Sequence, residues 1–242
     1  ARERFDRAVE RRRLSRREAD HAMERISGGV EYGGFGQLDL VVEAVVERME
    51  VKRTVLAEVE ARVAPSCILA SNTSTLSIDA MARDLQRPGN FLGMHFFNPV
   101  HRMPLVEIIR GSRTSEAAVA TVHALALRMG KVPVVVGDGP GFVVNRILGP
   151  YLNEAGHLLA EGASIEAIDG AATAFGLPMG PLRLVDEVGV DIARHAGDVL
   201  HQAFGDRMTP SAPLLAMGET DRLGAKGGAG FYRYEKGRGL GR

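Results

Sequence analysis

Gly93-Met94-His95-Phe96-Phe97-Asn98-Pro99 and, after five intervening residues, Leu105-Val106-Glu107-Ile108-Ile109 form the stretch from which the fold can be worked out. The first segment sets a histidine among apolar and aromatic neighbours. The second sets a carboxylate inside an aliphatic run. A short run such as Leu-Val-Glu-Ile-Ile reads as a buried or half-buried strand. Glutamate is almost never fully buried without a partner, because an unpaired charge in a dry site is costly. Glu107 therefore calls for a partner, and His95 is the nearest candidate in sequence. A carboxylate that accepts from one ring nitrogen fixes the tautomer and stabilises the imidazolium, which leaves the other nitrogen free as a base. The same pattern also suits a core histidine beside an edge-strand glutamate that faces water.

On either side of this stretch, apolar runs alternate with helical patterns. Leu38 to Val46 is β-branched and nearly continuous, like a strand covered on both faces. Arg48 to Val63 has helical spacing, with Val51, Val55, Val59 and Val63 on one stripe. Cys67 to Ala70 reads as a short strand, Ser71 to Thr75 as a polar loop, and Leu76 to Arg83 as a helix. Phe91 to His95 and Leu105 to Ile109 are further strands. Ser115 can cap a helix from Glu116 to Met129 that Gly130 ends, and Val132 to Val136 is the last strand. Alternation of this kind predicts an α/β domain with a largely parallel sheet, whose ligands sit beyond the carboxyl ends of the strands. The Ser71 to Thr75 loop, the end of the His95 strand and Glu47 fall at such ends.

At Gly137-Asp138-Gly139-Pro140-Gly141 the character changes. Pro140 suits the first turn of a helix, and an amphipathic helix follows to about Leu159. Beyond it the patterns are helical. The expected division is residues 1–137, an α/β domain, and residues 138–242, an all-α domain. The glycine-rich segment Lys226 to Tyr232 reads as a mobile tail. At the other end, residues 1–26 read as two helices, the second started by a Ser15/Glu18 capping box. Arg11, Arg12, Arg13, Arg16 and Arg17 suit a solvated helical face or a site for ligand phosphates.

Composition narrows the classes. The 242 residues suffice for one large or two small domains, and 45% hydrophobic with 25% charged content is that of a globular protein. Lys+Arg and Asp+Glu are both 30, so no overall field favours nucleic acid. The single cysteine, Cys67, excludes an internal disulfide and any cysteine-rich metal site, and no metal ligand set is expected. No apolar stretch reaches the ~20 residues of a membrane span. With no signal-peptide pattern in view, a cytoplasmic location is the expectation.

Six segments, in order, resemble the 3-hydroxyacyl-CoA dehydrogenase family: Asp39 to Glu47, Ala70 to Ser74, Gly93 to Pro99, Leu105 to Ile109, Gly139 to Arg146 and Gly176 to Pro181. The segment before Asp39 and the ending Gly230 to Lys236 look closest to the dehydrogenase part of the multifunctional fatty-acid-oxidation enzymes. The resemblance implies a Rossmann-like, mostly parallel sheet followed by a helical domain for substrate and dimerisation. It implies NAD as cofactor and oxidation of a 3-hydroxyacyl-CoA to the 3-ketoacyl-CoA. His95 matches the family's base, Glu107 the carboxylate that orients it, and Ser74 and Asn145 residues beside the substrate oxygen. Ser74 equally suits a helix N-cap. Glu47, Lys52, Ser74, Asn98 and Lys226 match cofactor-contacting positions, although Lys52 and Lys226 also suit a solvated surface. The implied partners are the acyl-CoA and either a second copy of the chain or the rest of a larger multifunctional enzyme.

One departure stands out. The family opens with a strand and a Gly-x-Gly-x-x-Gly turn that receives the dinucleotide pyrophosphate at a helix N-terminus. These 242 residues hold no such motif. The chain is expected to lack the first β-α-β of its Rossmann half and to expose the Leu38 to Val46 edge. A related dehydrogenase acting on a free 3-hydroxyacid, and a non-catalytic structural fragment of the same fold, are the competing readings.

Overall fold

The computed structural model describes residues 1–234. Five strands form one sheet in the order β1-β2-β3-β4-β5. They are β1 (Leu40–Glu43), β2 (Ile68–Ser71), β3 (Phe91–Phe96), β4 (Leu105–Arg110) and β5 (Val132–Gly137). Every neighbouring pair is parallel except β3 and β4. Helix α3 (Met49–Glu60) and the short α4 (Ile78–Met81) cover one face, where Leu56, Val59, Met81 and Phe91 share a core. On the other face α5 (Glu116–Arg128) places Ala118, Val119, Val122 and Ala126 against Leu92, Met94 and Ile108. Gly93 is required where it stands, because a Cβ would meet Ile78 at 2.8 Å and Ile109 at 2.9 Å.

The N-terminal residues form α1 (Arg2–Glu10) and α2 (Arg16–Glu24), and Ser15 with Glu18 closes the capping box at the start of α2. The apolar run around β1 behaves differently from the expectation of a strand covered on both faces. β1 ends at Glu43, it has a strand partner on one side alone among the described residues, and Val42 and Val46 are exposed, Val46 by 61%. The strand stops because the Glu43 carboxylate turns inward and accepts the Val45 N–H at 2.6 Å, which diverts the backbone from the ladder.

The helical part comprises α6 (Val144–Ala160), α7 (Ile165–Phe175), α8 (Pro181–Val188), α9 (Val190–Phe204) and α10 (Ala212–Gly218). Helix α6 starts at Val144 rather than at Pro140. Residues Gly141 and Phe142 turn through the left-handed region first, at φ 75° and 49°. The Lys226 to Tyr232 segment is not a loose tail. Gly224 pairs with Ala229 and Ala229 with Arg233 in two isolated antiparallel bridges. The wholly buried Asp186 carboxylate on α8 accepts the Phe231 and Tyr232 N–H groups, both at 2.8 Å, and the Tyr234 hydroxyl at 3.0 Å. Asp169 on α7 takes the Leu182 and Arg183 N–H groups and the Tyr232 hydroxyl. Glu235 and Lys236, at the end of the motif quoted above, lie outside the described residues.

Asp186→Ala would strand three donors at once, and each unsatisfied buried group costs roughly 1–3 kcal/mol. We expect a destabilisation of about 3 kcal/mol or more in urea unfolding, together with proteolytic cleavage near Phe231 that the wild-type chain resists. An unchanged midpoint and cleavage pattern would show that the carboxylate does not hold the segment.

Candidate active site

The antiparallel register sets His95 on β3 directly opposite Glu107 on β4. Both are buried, and His95 Nδ1 lies 2.7 Å from Glu107 Oε2. The second carboxylate oxygen, Oε1, accepts the Val143 and Val144 N–H groups, each at 2.9 Å. These are the free donors at the start of α6, whose N-cap Val143 has no capping side chain. Glu107 thus caps α6 from another strand, at the positive end of the helix dipole. Burial works to raise the Glu107 pKa, but the bonds from His95, Val144 and Val143 outweigh it and hold the carboxyl below its ordinary range. The His95 ring packs against Phe97, with centroids 4.4 Å apart, and near Phe142 at 6.0 Å. With the ionised carboxylate accepting at Nδ1, the proton sits there and Nε2 is left as the basic nitrogen. No described residue bonds Nε2.

The neighbouring loop, Ser71 to Thr75, is tied to this strand and to α6. Asn72 Oδ1 accepts the Phe96 N–H at 3.1 Å, one residue past His95. Asn145, on the first turn of α6, donates from Nδ2 to the Ser74 carbonyl at 3.1 Å. Ser74 itself is exposed, and its hydroxyl takes no described partner. It does not cap α4. That role belongs to Ser77, whose side chain accepts from Ala80 N, while Asp138 accepts from Ser77 Oγ and from the Ile78 and Asp79 N–H groups. His95, Glu107, Ser74 and Asn145 are therefore connected through β3, β4, the loop and α6.

The remaining sequence candidates divide. Asn98 is exposed just past β3. Glu47 turns its Oε1 onto the loop, accepting from Thr73 Oγ1 at 2.6 Å, Ser74 N at 2.8 Å and Thr75 N at 3.1 Å. Desolvation opposes ionisation there, but these bonds and Lys52 prevail and lower the Glu47 pKa. Lys52 is not on the surface. It is wholly buried, with Nζ 2.9 Å from Glu43 Oε1. Lys226 donates to both Asp191 oxygens, at 2.6 and 2.8 Å, on α9, and shares no hydrogen bond with the residues around His95. Glu43 was missed, although a carboxylate inside Leu-Val-Val-Glu-Ala-Val-Val carries the same signal that singled out Glu107. A separate cleft of about 570 Å³ opens beside the Gly137 to Gly141 turn, lined by Asp138, Phe142, Arg146 and Ile147 and not by His95.

Residues 1–139 match the family model of the 3-hydroxyacyl-CoA dehydrogenase NAD binding domain, and residues 141–234 match that of the C-terminal domain. The chain is 52% identical over 230 residues to the fatty acid oxidation complex subunit alpha of Psychrobacter sp. (strain PRwf-1), covering 94% of this chain and 32% of that protein. It thus spans about a third of the length of the curated relatives it matches. Among solved structures, (S)-3-hydroxybutyryl-CoA dehydrogenase from Ralstonia eutropha superposes with a TM-score of 0.93 at 40% identity, covering 97% of this chain and 84% of that one. The 3-hydroxybutyryl-CoA dehydrogenase of Escherichia coli K12 gives 0.92 at 35% identity, covering 96% and 50%.

Proposed function

Because the chain belongs to the 3-hydroxyacyl-CoA dehydrogenase family, we propose that in its parent protein it oxidises a (S)-3-hydroxyacyl-CoA to the 3-ketoacyl-CoA in fatty acid β-oxidation. The observation that carries this reading is the buried His95–Glu107 pair with Nε2 left free. His95 Nε2 takes the proton of the substrate 3-hydroxyl. Glu107 stabilises the imidazolium so formed and keeps the ring from rotating. The Ser74 hydroxyl and the Asn145 carboxamide, joined through the Ser74 carbonyl, orient the substrate oxygen. NAD, when bound, supplies the hydride acceptor. Ser74 and Asn98, exposed at the carboxyl ends of β2 and β3, suit its nicotinamide end. Among the described residues no glycine turn offers the row of N–H groups its pyrophosphate needs.

The CoA ester is favoured over a free acid by a group of cations. Lys131 Nζ donates to the Val100 and Met103 carbonyls under the loop that leaves β3. Desolvation, and then Arg4, Arg102 and Lys131, lower the pKa of His101 on that loop. None of these cations has a described carboxylate within ion-pair distance. Such a group suits a phosphate-bearing substrate. We further place the boundary of the substrate and dimerisation region at residue 138 and the chain within a larger cytoplasmic multifunctional enzyme or a homodimer.

The test is NADH formation by the full-length parent protein with NAD and 3-hydroxybutyryl-CoA. Turnover of free 3-hydroxybutyrate without turnover of the thioester would establish the competing 3-hydroxyacid reading instead. The cation group makes its own prediction for the 242-residue chain. A bound anion favours protonated imidazole, so adenosine 3′,5′-bisphosphate should raise the NMR titration midpoint of His101. A midpoint that ignores the bisphosphate would remove the support for CoA.

A further inference from the structure

We propose that the buried Glu43–Lys52 pair is a positioning device which, through Glu47, sets the place of the Ser74 loop beside His95. The inference rests on the reading of Ser74 and His95 as the site of reaction. Lys52 is fully buried, and only 1% of the Glu43 side chain is accessible. Nζ lies 2.9 and 3.1 Å from the two Glu43 oxygens, and Glu43 also accepts the Ser71 hydroxyl at 2.6 Å. Stability alone does not account for this pair. Two charges removed from water recover little more than their desolvation cost, and packed apolar side chains usually do as well or better.

The pair is explained by what lies beyond it. Lys52 Nζ is also 3.5 Å from Glu47 Oε2, so one buried cation stands between two carboxylates. It anchors one Glu47 oxygen and leaves Oε1 to gather Thr73 Oγ1, Ser74 N and Thr75 N. No other described cation is in ion-pair reach of Glu47. With Ser74 N held by Glu47 and Ser74 O held by Asn145, the loop backbone is fixed on both sides and the Ser74 hydroxyl remains uncommitted. The same device fixes the strand end, because Ser71 ends β2 where the loop begins and is registered opposite Gly93, two residues before His95.

The double variant Glu43→Gln/Lys52→Met removes both charges and tests the device. As an apolar replacement of a buried pair it should keep the melting temperature near that of the wild type. The Ser74 and Thr75 amide protons of the 242-residue chain report Glu47 ionisation by NMR. Without Lys52 the pH midpoint of their shifts should move up. In the full-length parent, kcat should fall on the order of tenfold while KM changes little, as expected when alignment rather than binding is lost. Glu47→Gln leaves the buried pair in place and should lower kcat comparably, which keeps the test decisive if the double variant does not fold. Amide midpoints unchanged in the double variant, or wild-type kcat in Glu47→Gln, overturn the inference. A wild-type parent inert toward 3-hydroxyacyl-CoA defeats the functional reading alone, since the amide titration still tests the clamp.

Discussion

Glu107→Gln in the full-length parent protein lowers kcat by on the order of 10²-fold with KM little changed. The geometry gives the reason. Oε1 can keep its two N–H donors from α6, so the carboxamide nitrogen replaces Oε2 and faces His95 Nδ1. That nitrogen donates and cannot accept. Nδ1 must then accept, the ring proton moves to Nε2, and the nitrogen that should take the substrate proton becomes a donor. The imidazolium also loses its counter-charge, an interaction made in the transition state more than in the ground state. Steady-state kinetics with unchanged kcat and a raised KM would contradict this assignment.

The same substitution carries a signature in stability. The folded-state pKa of Glu107 is lowered, so its contribution is fully present above the ordinary carboxylate pKa of about 4.5 and is lost as pH falls through the lowered folded value. Urea midpoints of the wild type should therefore drop between neutral pH and that acid range by more than those of Glu107→Gln. Equal drops would mean that the carboxylate is not stabilised by the fold.

The 242-residue chain, purified as such, should show no appreciable binding of NADH in calorimetric titration. The cofactor's charge lies in its pyrophosphate, which needs a row of backbone N–H groups at a glycine turn, and the described residues hold no such turn. The residues matched to the cofactor do not replace it. Lys52 is enclosed by Glu43, Lys226 is held by Asp191, and Glu47 is spent on the loop. Ser74 and Asn98, in the reading proposed above, serve the nicotinamide end and not the pyrophosphate. Without firm placement the proximity contribution to hydride transfer is lost as well. Micromolar binding would mean that another segment serves the pyrophosphate.

The parts of this fold that were legible in the sequence depend on local chemistry. Apolar runs, the Ser15 and Ser115 caps and Gly130 mark most elements to within a few residues. The His95–Glu107 contact was legible because two short strands place it in one register. What was not legible depends on partners distant in sequence. Helix α6 begins later than Pro140 suggests because its cap is a carboxylate 36 residues upstream. The glycine-rich segment is ordered by Asp186, 45 residues before Phe231. Lys52 read as a cofactor contact or a surface lysine, because helical spacing does not reveal that a strand glutamate nine residues earlier faces it.

The outer edge of β1 bears on how the isolated chain behaves in bulk. With a strand partner on one side alone among the described residues, and with Val42 and Val46 open to solvent, it offers an unsatisfied ladder to any similar edge. The formal net charge is zero at pH 7, so electrostatic repulsion does little to keep copies apart. Concentrated solutions should scatter light increasingly with time, and a lysine at Val42 should suppress the turbidity while leaving the dilute chain's circular dichroism unchanged.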